Sequence, residues 1–196
     1  MKILVCISSV PDTTSKINFT ADKSAFDKNG IQWVINPYDE FALTKAVKLQ
    51  ESQGATVTIA TVGDAATEAV MRKALAIGAN DAIRVNAEPQ DSITVAKELA
   101  KIVEEGGYDL VLCGKESIDY NGAAVPAMIA QLLNRPFVNA CVGLEVNGAE
   151  ATAVREIEGG KETLTVKLPA VIAGQKGMVE EKDLIIPNMR GIMSAR

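Results

Sequence analysis

A rhythm restricts what this chain can fold into more than any single motif does. Four short apolar runs rich in β-branched residues, "KILVCIS" (2–8), "ATVTIATVG" (55–63), "DAIRVN" (81–86) and "DLVLCG" (109–114), are separated by stretches with helical spacing. In 38–54 the apolar positions are Phe41, Leu43, Ala46, Val47 and Leu49; in 64–79 they are Val70, Ala74, Leu75 and Ile77. In 91–107 they are Ile93, Ala96, Leu99, Ile102 and Val103. Such three- and four-residue recurrence marks one face of a helix. Asp64 and Asp91 stand where N-caps belong, and Gly54, Gly78 and Gly106 lie where helices end. A fourth helix over about 121–133 follows the fourth run. Strands alternating with helices of this length build right-handed βαβ units. The spacing therefore predicts an α/β, doubly wound, mostly parallel sheet with a core over about 1–145. Aromatic residues make up only 4% of the chain against 47% hydrophobic overall. The core must therefore be aliphatic, as suits strands covered by helices on both faces.

Two stretches break the rhythm. Residues 16–36 contain no good helix, and Asn29-Gly30 is a turn signal, so an inserted β-hairpin is expected there. Residues 145–174 carry Asn147-Gly148 and Gly159-Gly160 at hairpin spacing. This predicts an antiparallel extension at the edge of the parallel sheet. A single α/β domain is then expected over 1–174. Residues 175–196 lack periodicity and read as an extended loop with at most a short helix.

Several functions are disfavoured. A formal charge of −5 gives no general pull on nucleic acid or anionic lipid. Histidine is absent, which removes His-based triads and the commonest zinc sites. Cys6, Cys113 and Cys141 are far apart in sequence, and the first two sit in apolar runs. They read as small buried hydrophobes of a reducing, cytoplasmic compartment. The opening apolar run meets Pro11-Asp12 too soon for a signal peptide or a membrane span.

In an open parallel sheet, ligands lie beyond the carboxyl ends of the strands. That selects Ser8 to Asp12, Thr61 to Asp64, and Gly114 to Asp119 with Tyr120-Asn121-Gly122 leading into a helix. The small residues Gly114, Gly122, Ala123 and Ala124 allow close backbone approach, and the helix start favours a phosphate. An ordinary βα loop fits the same residues equally well. Neither G-x-G-x-x-G nor a P-loop occurs. At 35–49, Pro37 after Asn36 fits a helix start, with Asp39 and Glu40 favoured by the helix dipole. Leu184, Ile185 and Ile186 precede Pro187, and either plug a core or form a partner site.

The stretch from Ala153-Val154-Arg155 through Glu158-Gly159-Gly160, Glu162, Leu164 and Pro169 to Val171-Ile172-Ala173 resembles the signature of the electron transfer flavoprotein β subunit. The likeness extends to the first strand and to "NPYDEFALTKAVKL", "KALAIGANDAIRV", "LVLCGKESID", "LPAVIAGQKG" and "IIPNM", so it spans nearly the whole chain. It implies an adenine-nucleotide-hydrolase-like fold and an electron carrier rather than an enzyme. It also implies a heterodimer with an α subunit that binds most of a redox FAD, and flavin-dependent dehydrogenases as docking partners. In its own pocket the β subunit would hold a structural AMP or a second FAD. Carried over by position, that nucleotide would meet Cys6, Asn36, Pro37, Tyr38, Asp39, Val62 and Gly63. Its phosphate would be held by Ser117, Asp119, Asn121, Gly122, Ala123, Ala124 and Val125. The recognition loop would present Leu184, Ile185 and above all Ile186, and the loop 10–16 would lie near the flavin of the α subunit. The family's phosphate loop commonly reads Gln, a β-branched residue, Gly, Pro; here Ala124, Val125, Pro126 and Ala127 stand there. The family also commonly continues in an arm that embraces the α subunit, so 175–196 is read as the recognition loop and the start of a truncated C-terminal segment. The rivals are a stand-alone nucleotide-binding module of the universal-stress type and a hydrolase or ligase on the same fold.

Overall fold

The computed structural model describes residues 1–187 and 189–195. The predicted rhythm is present as β1 (Lys2–Cys6), α1 (Pro37–Gln53), β4 (Thr56–Val62), α2 (Glu68–Ile77), β5 (Asp81–Val85), α3 (Ser92–Gly106), β6 (Leu110–Gly114) and α4 (Val125–Leu132). Between β1 and α1 lie the short strands β2 (Ser9–Pro11) and β3 (Trp33–Ile35). The chain then runs through β7 (Phe137–Asn147), β8 (Glu150–Ile157), β9 (Gly160–Lys167), β10 (Ala170–Gly174) and α5 (Met189–Ser194). Asp64 and Asp91 do cap: Ala66 N donates to Asp64 Oδ1 at 2.9 Å, and Thr94 N donates to Asp91 Oδ1 at 2.7 Å.

The main sheet has eight strands in the order β5–β4–β1–β6–β10–β7–β8–β9. All neighbours from β5 to β7 are parallel, and β7, β8 and β9 pair antiparallel. This is the doubly wound α/β fold with an antiparallel edge. Strand residues alternate between two aliphatic cores. Ile3, Val5, Leu110, Leu112 and Ile172 face α1 and α2, together with Leu43, Val47, Val70 and Met71. Leu4, Cys6, Val111, Cys113 and Val171 face α3 and α4, with Leu99, Val103 and Ile129.

Four features differ from the sequence-based expectation. Ala170–Gly174 is not part of the antiparallel extension. It returns to the middle of the sheet as β10, parallel to both β6 and β7 and buried throughout. Its unbroken apolar sequence suits that position, where both faces are covered. The extension itself begins earlier than 145: β7 pairs with β10 through Phe137 and Val138, then bulges near Cys141 and continues against β8. In the insertion, the ladder pairs β2 with β3, Ser9 opposite Ile35 and Pro11 opposite Trp33, instead of flanking Asn29-Gly30. Within it a single bridge joins Phe19 to Phe26. Helix α4 starts at Val125 rather than near 121, leaving 121–124 as loop.

After β10 the chain crosses α1. Leu184 and Ile185 pack on the core beside it, Ile185 N donates to Thr44 Oγ1 at 3.4 Å, and Lys48 pairs with Asp183 at 3.2 Å.

Candidate functional site

From β1 the chain winds outward through β4 to β5, then returns to place β6 on the other side of β1. The switch point lies between β1 and β6, where doubly wound folds open a crevice at the carboxyl edge. The residues that shape this edge come from α1. Asp39 stands in the first turn of α1, only 3% exposed. Ser8 N, just past β1, donates to its Oδ2 at 2.7 Å. Gly114 N, at the end of β6, donates to its Oδ1 at 2.8 Å. One carboxylate therefore clasps the ends of both switch-point strands. Burial pushes its pKa up to about 7, against the opposing pull of the Ser8, Asn36 and Gly114 hydrogen bonds.

Gly114 is needed for this approach. A Cβ there would strike Asp39 Oδ1, and would come within 2.6 Å of Tyr38 Cβ and 2.9 Å of Asp39 N. The close approach that the sequence offered to a ligand at this glycine is taken by the start of α1 instead.

Asn36 makes the second clasp. It is fully buried. Its Nδ2 donates to Glu116 O at 2.8 Å, and its Oδ1 accepts from Ile118 N at 3.2 Å. Its backbone N donates to Ser8 O at 2.9 Å. A single amide thus reads the backbone of the loop after β6 across 80 residues of sequence. Above the loop, Lys115 Nζ lies 5.2 Å from the Tyr38 ring centroid and pairs with Glu116 at 3.6 Å.

Beyond the clasp the loop tightens. Ser117 Oγ donates to Asp119 Oδ1, Tyr120 N donates to the same oxygen at 2.9 Å, and Asn121 N donates to Ser117 O at 2.8 Å. Asn121 and Ala123 both take positive φ, 51° and 49°. Asparagine adopts this region readily, alanine rarely. Gly122 between them lies against the start of α3, a Cβ there reaching 3.8 Å from Ser92 Oγ. Residues 119–123 are exposed. Helix α4 then begins at Val125 with no side-chain cap, because Ala124 has none to offer and Pro126 lacks an N–H. An uncapped helix start behind a turn of αL residues suits an anion.

The structure therefore brings Cys6, Asn36, Pro37, Tyr38, Asp39 and Ser117 to one edge. The loop through Asp119, Asn121, Gly122, Ala123 and Ala124 leads from there to Val125. Cys6 is buried at the end of β1. Val62 and Gly63 lie on the far side of β1, at the end of β4. There Gly63 N donates to Val85 O at 3.0 Å, and Arg84 Nη1 donates to Gly63 O at 3.1 Å. The side chains of Asn36 and Asp39 are spent on protein backbone, so they position the site instead of lining it freely. Sequence reasoning missed Ser8 and Gly114 as their partners; the only signal was a glycine closing an otherwise apolar strand. Of the three apolar residues before Pro187, Leu184 and Ile185 are half-buried and face the core, while Ile186 is 82% exposed. Asn188, the next residue, lies outside the described residues.

Among the described residues no helix is long and apolar enough to cross a membrane, and no cluster of His, Cys, Asp or Glu side chains could hold a metal ion.

Fold and site together define a doubly wound α/β domain whose switch-point strand ends and following loop are tied down by Asp39 and Asn36. The model of the electron transfer flavoprotein domain matches residues 24–196. The chain is 34% identical over 200 residues to the electron transfer flavoprotein subunit beta of Bacillus subtilis, covering 100% of this chain and 76% of the relative. It is 36% identical over 199 residues to the protein of that name from Syntrophomonas wolfei, covering 100% and 77%. The relative from Oryza sativa subsp. japonica, named as mitochondrial, is 34% identical over 195 residues, covering 96% and 77%. The chain belongs to the electron transfer flavoprotein family, as a β subunit.

Proposed function

We propose that this chain works as one half of a heterodimeric electron carrier and makes or breaks no substrate bond itself. An α subunit would hold most of the redox FAD, with the segment 10–16 of this chain beside it. Flavin-dependent dehydrogenases would dock on the recognition loop through Ile186. The flavin supplies the one- and two-electron chemistry when bound; this chain supplies orientation and a docking surface. We take its compartment as cytoplasmic and reducing, as suits three buried free thiols.

In its own crevice the chain would hold an adenine nucleotide, AMP or a second FAD. The observation that carries this reading is the double clasp. Asp39 ties β1 to β6 and Asn36 ties the following loop, so a loop with no stabilising core of its own is held in one shape. Pre-organisation of this kind lowers the cost of binding. The phosphate would rest on the turn of 121–125, with Ser117, Asp119 and Asn121 as the polar side chains nearby. The residues fit a phosphate by backbone donors rather than by the family's usual Gln, which Ala124 replaces.

The test is to co-express the chain with its α partner, purify the complex, extract the bound nucleotides and identify them by mass. A yellow complex is expected, holding FAD plus one further adenine nucleotide. A complex with flavin but no second nucleotide would remove the pocket assignment. A colourless isolated chain that hydrolyses ATP would favour the stand-alone module or the hydrolase.

A further inference from the structure

Cys6 and Cys113 are 107 residues apart in sequence but neighbours in the sheet. β1 and β6 run parallel with Ile3 opposite Leu110, Leu4 opposite Val111 and Val5 opposite Leu112. The next step of that register sets Cys6 beside Cys113. Both side chains belong to the same core, the one facing α3 and α4, and both are buried at 6% and 4% exposure. A hydrogen bond with Cys6, ahead of burial, pushes the Cys113 thiol well above the usual range. Cys141 lies in the opposite core, and its Sγ donates to Gly143 O at 3.1 Å.

From this juxtaposition we propose that Cys6 and Cys113 form a dithiol site that closes reversibly to a disulfide across β1 and β6, directly beneath the switch-point crevice. Neighbouring strands lie about 4.8 Å apart, inside the Cα separation of about 4.4–6.8 Å that a disulfide spans. Directly paired side chains keep roughly the strand spacing at Cβ, at or beyond the upper end of the ~3.5–4.5 Å a bridge adopts. Closure must therefore draw the two strand ends together. A bridge under that tension is of the easily reduced kind, unlike a structural disulfide.

Hydrogen peroxide is an oxidant small enough for a buried pair. Cys6, at 6% exposure against 4% for Cys113, meets the peroxide first. Its sulfur attacks one peroxide oxygen, the O–O bond breaks, and the other oxygen leaves as water carrying the Cys6 thiol proton, giving a sulfenic acid. The sulfur of Cys113 then displaces the sulfenic oxygen, which departs as a second water with the Cys113 proton. Two thiols and one peroxide become one disulfide and two waters. The closed bridge would pull on the strand ends that Asp39 joins through Ser8 N and Gly114 N. It would thus couple the oxidation state of Cys6, itself a candidate nucleotide contact, to the shape of this edge.

The experiment exposes the folded full chain to a modest excess of hydrogen peroxide, removes it, alkylates in denaturant and weighs the product. The result expected is a species that has lost two hydrogens and keeps one of its three thiols. A peptide map should join Cys6 to Cys113, and dithiothreitol should restore all three thiols. Cys141→Ala should give the same cross-link with no thiol left. Cys113→Ala should stop at a sulfenic acid trapped by dimedone; if that variant does not fold, Cys141→Ala carries the test. A cross-link containing Cys141 overturns the proposal. So does sulfinic acid formed without any cross-link. So does survival of all three thiols under a dose that oxidises the exposed Met189 and Met193.

Discussion

Asp39 shows how much one side chain can organise. Its two oxygens accept from Ser8 and Gly114, yet burial raises its pKa from 3.8 to about 7. The sign follows from proton binding. Between the unfolded and folded values the native state holds more protons than the unfolded chain, so stability falls as pH rises through that window. From about pH 5 to about pH 8 this one group should remove on the order of 2 kcal/mol. Asp39→Asn does not titrate, so urea midpoints of the variant should be flatter over that range by a comparable amount. The variant should also be less stable below the window by about 1–3 kcal/mol, because its NH2 cannot accept an N–H and one donor is left unpaired. Equal pH slopes in both proteins would mean that another group titrates. None of this was legible at the residue level. The sequence explained Asp39 by the helix dipole, a local effect, and its partners lie 31 and 75 residues away.

Elements were read better than their neighbours. The four strands and four helices of the βαβ rhythm could be placed because their spacing is a local property with one physical cause, burial of a single face or of both. The antiparallel turns at Gly148 and Gly159 were legible for the same reason. What failed was the position of β10. Its five residues are all apolar, whereas β9 alternates exposed and covered positions. That contrast marks a central strand against an edge strand, but the adjacent hairpins outweighed it. The two positions predict different costs. Ile172→Ala, fully buried in the middle of the sheet, should cost about 2–5 kcal/mol. Leu164→Ala, half-covered on edge strand β9, should cost about 1 kcal/mol. Chemical denaturation of the two variants decides it, and equal losses would argue against the central placement. The strand ends at the switch point were legible in the sequence, but the clasps of Asp39 and Asn36 across them were not. Helix α4 also starts later than predicted, because the αL residues Asn121 and Ala123 cannot continue into a right-handed helix.

At the scale of the whole molecule the segment before Pro187 separates into anchor and tip. Leu184 and Ile185 hold the segment to α1, and Ile186 stands exposed, where the proposed docking partner would meet it. Ile186→Ala in the αβ complex should therefore leave melting temperature and flavin content unchanged. It should slow electron transfer from a docking dehydrogenase, with a loss of about 1–3 kcal/mol in complex affinity. Stopped-flow reduction of the complex by the dehydrogenase measures this, and unaltered kinetics would argue against Ile186 as the docking tip. The threading of β10 has a further consequence during synthesis. Until the residues from Ala170 onward leave the ribosome, β6 and β7 face each other across an empty slot, each with an unsatisfied strand edge. The nascent chain must be born with its central seam open, and it is there that a chaperone would find exposed edges to shield.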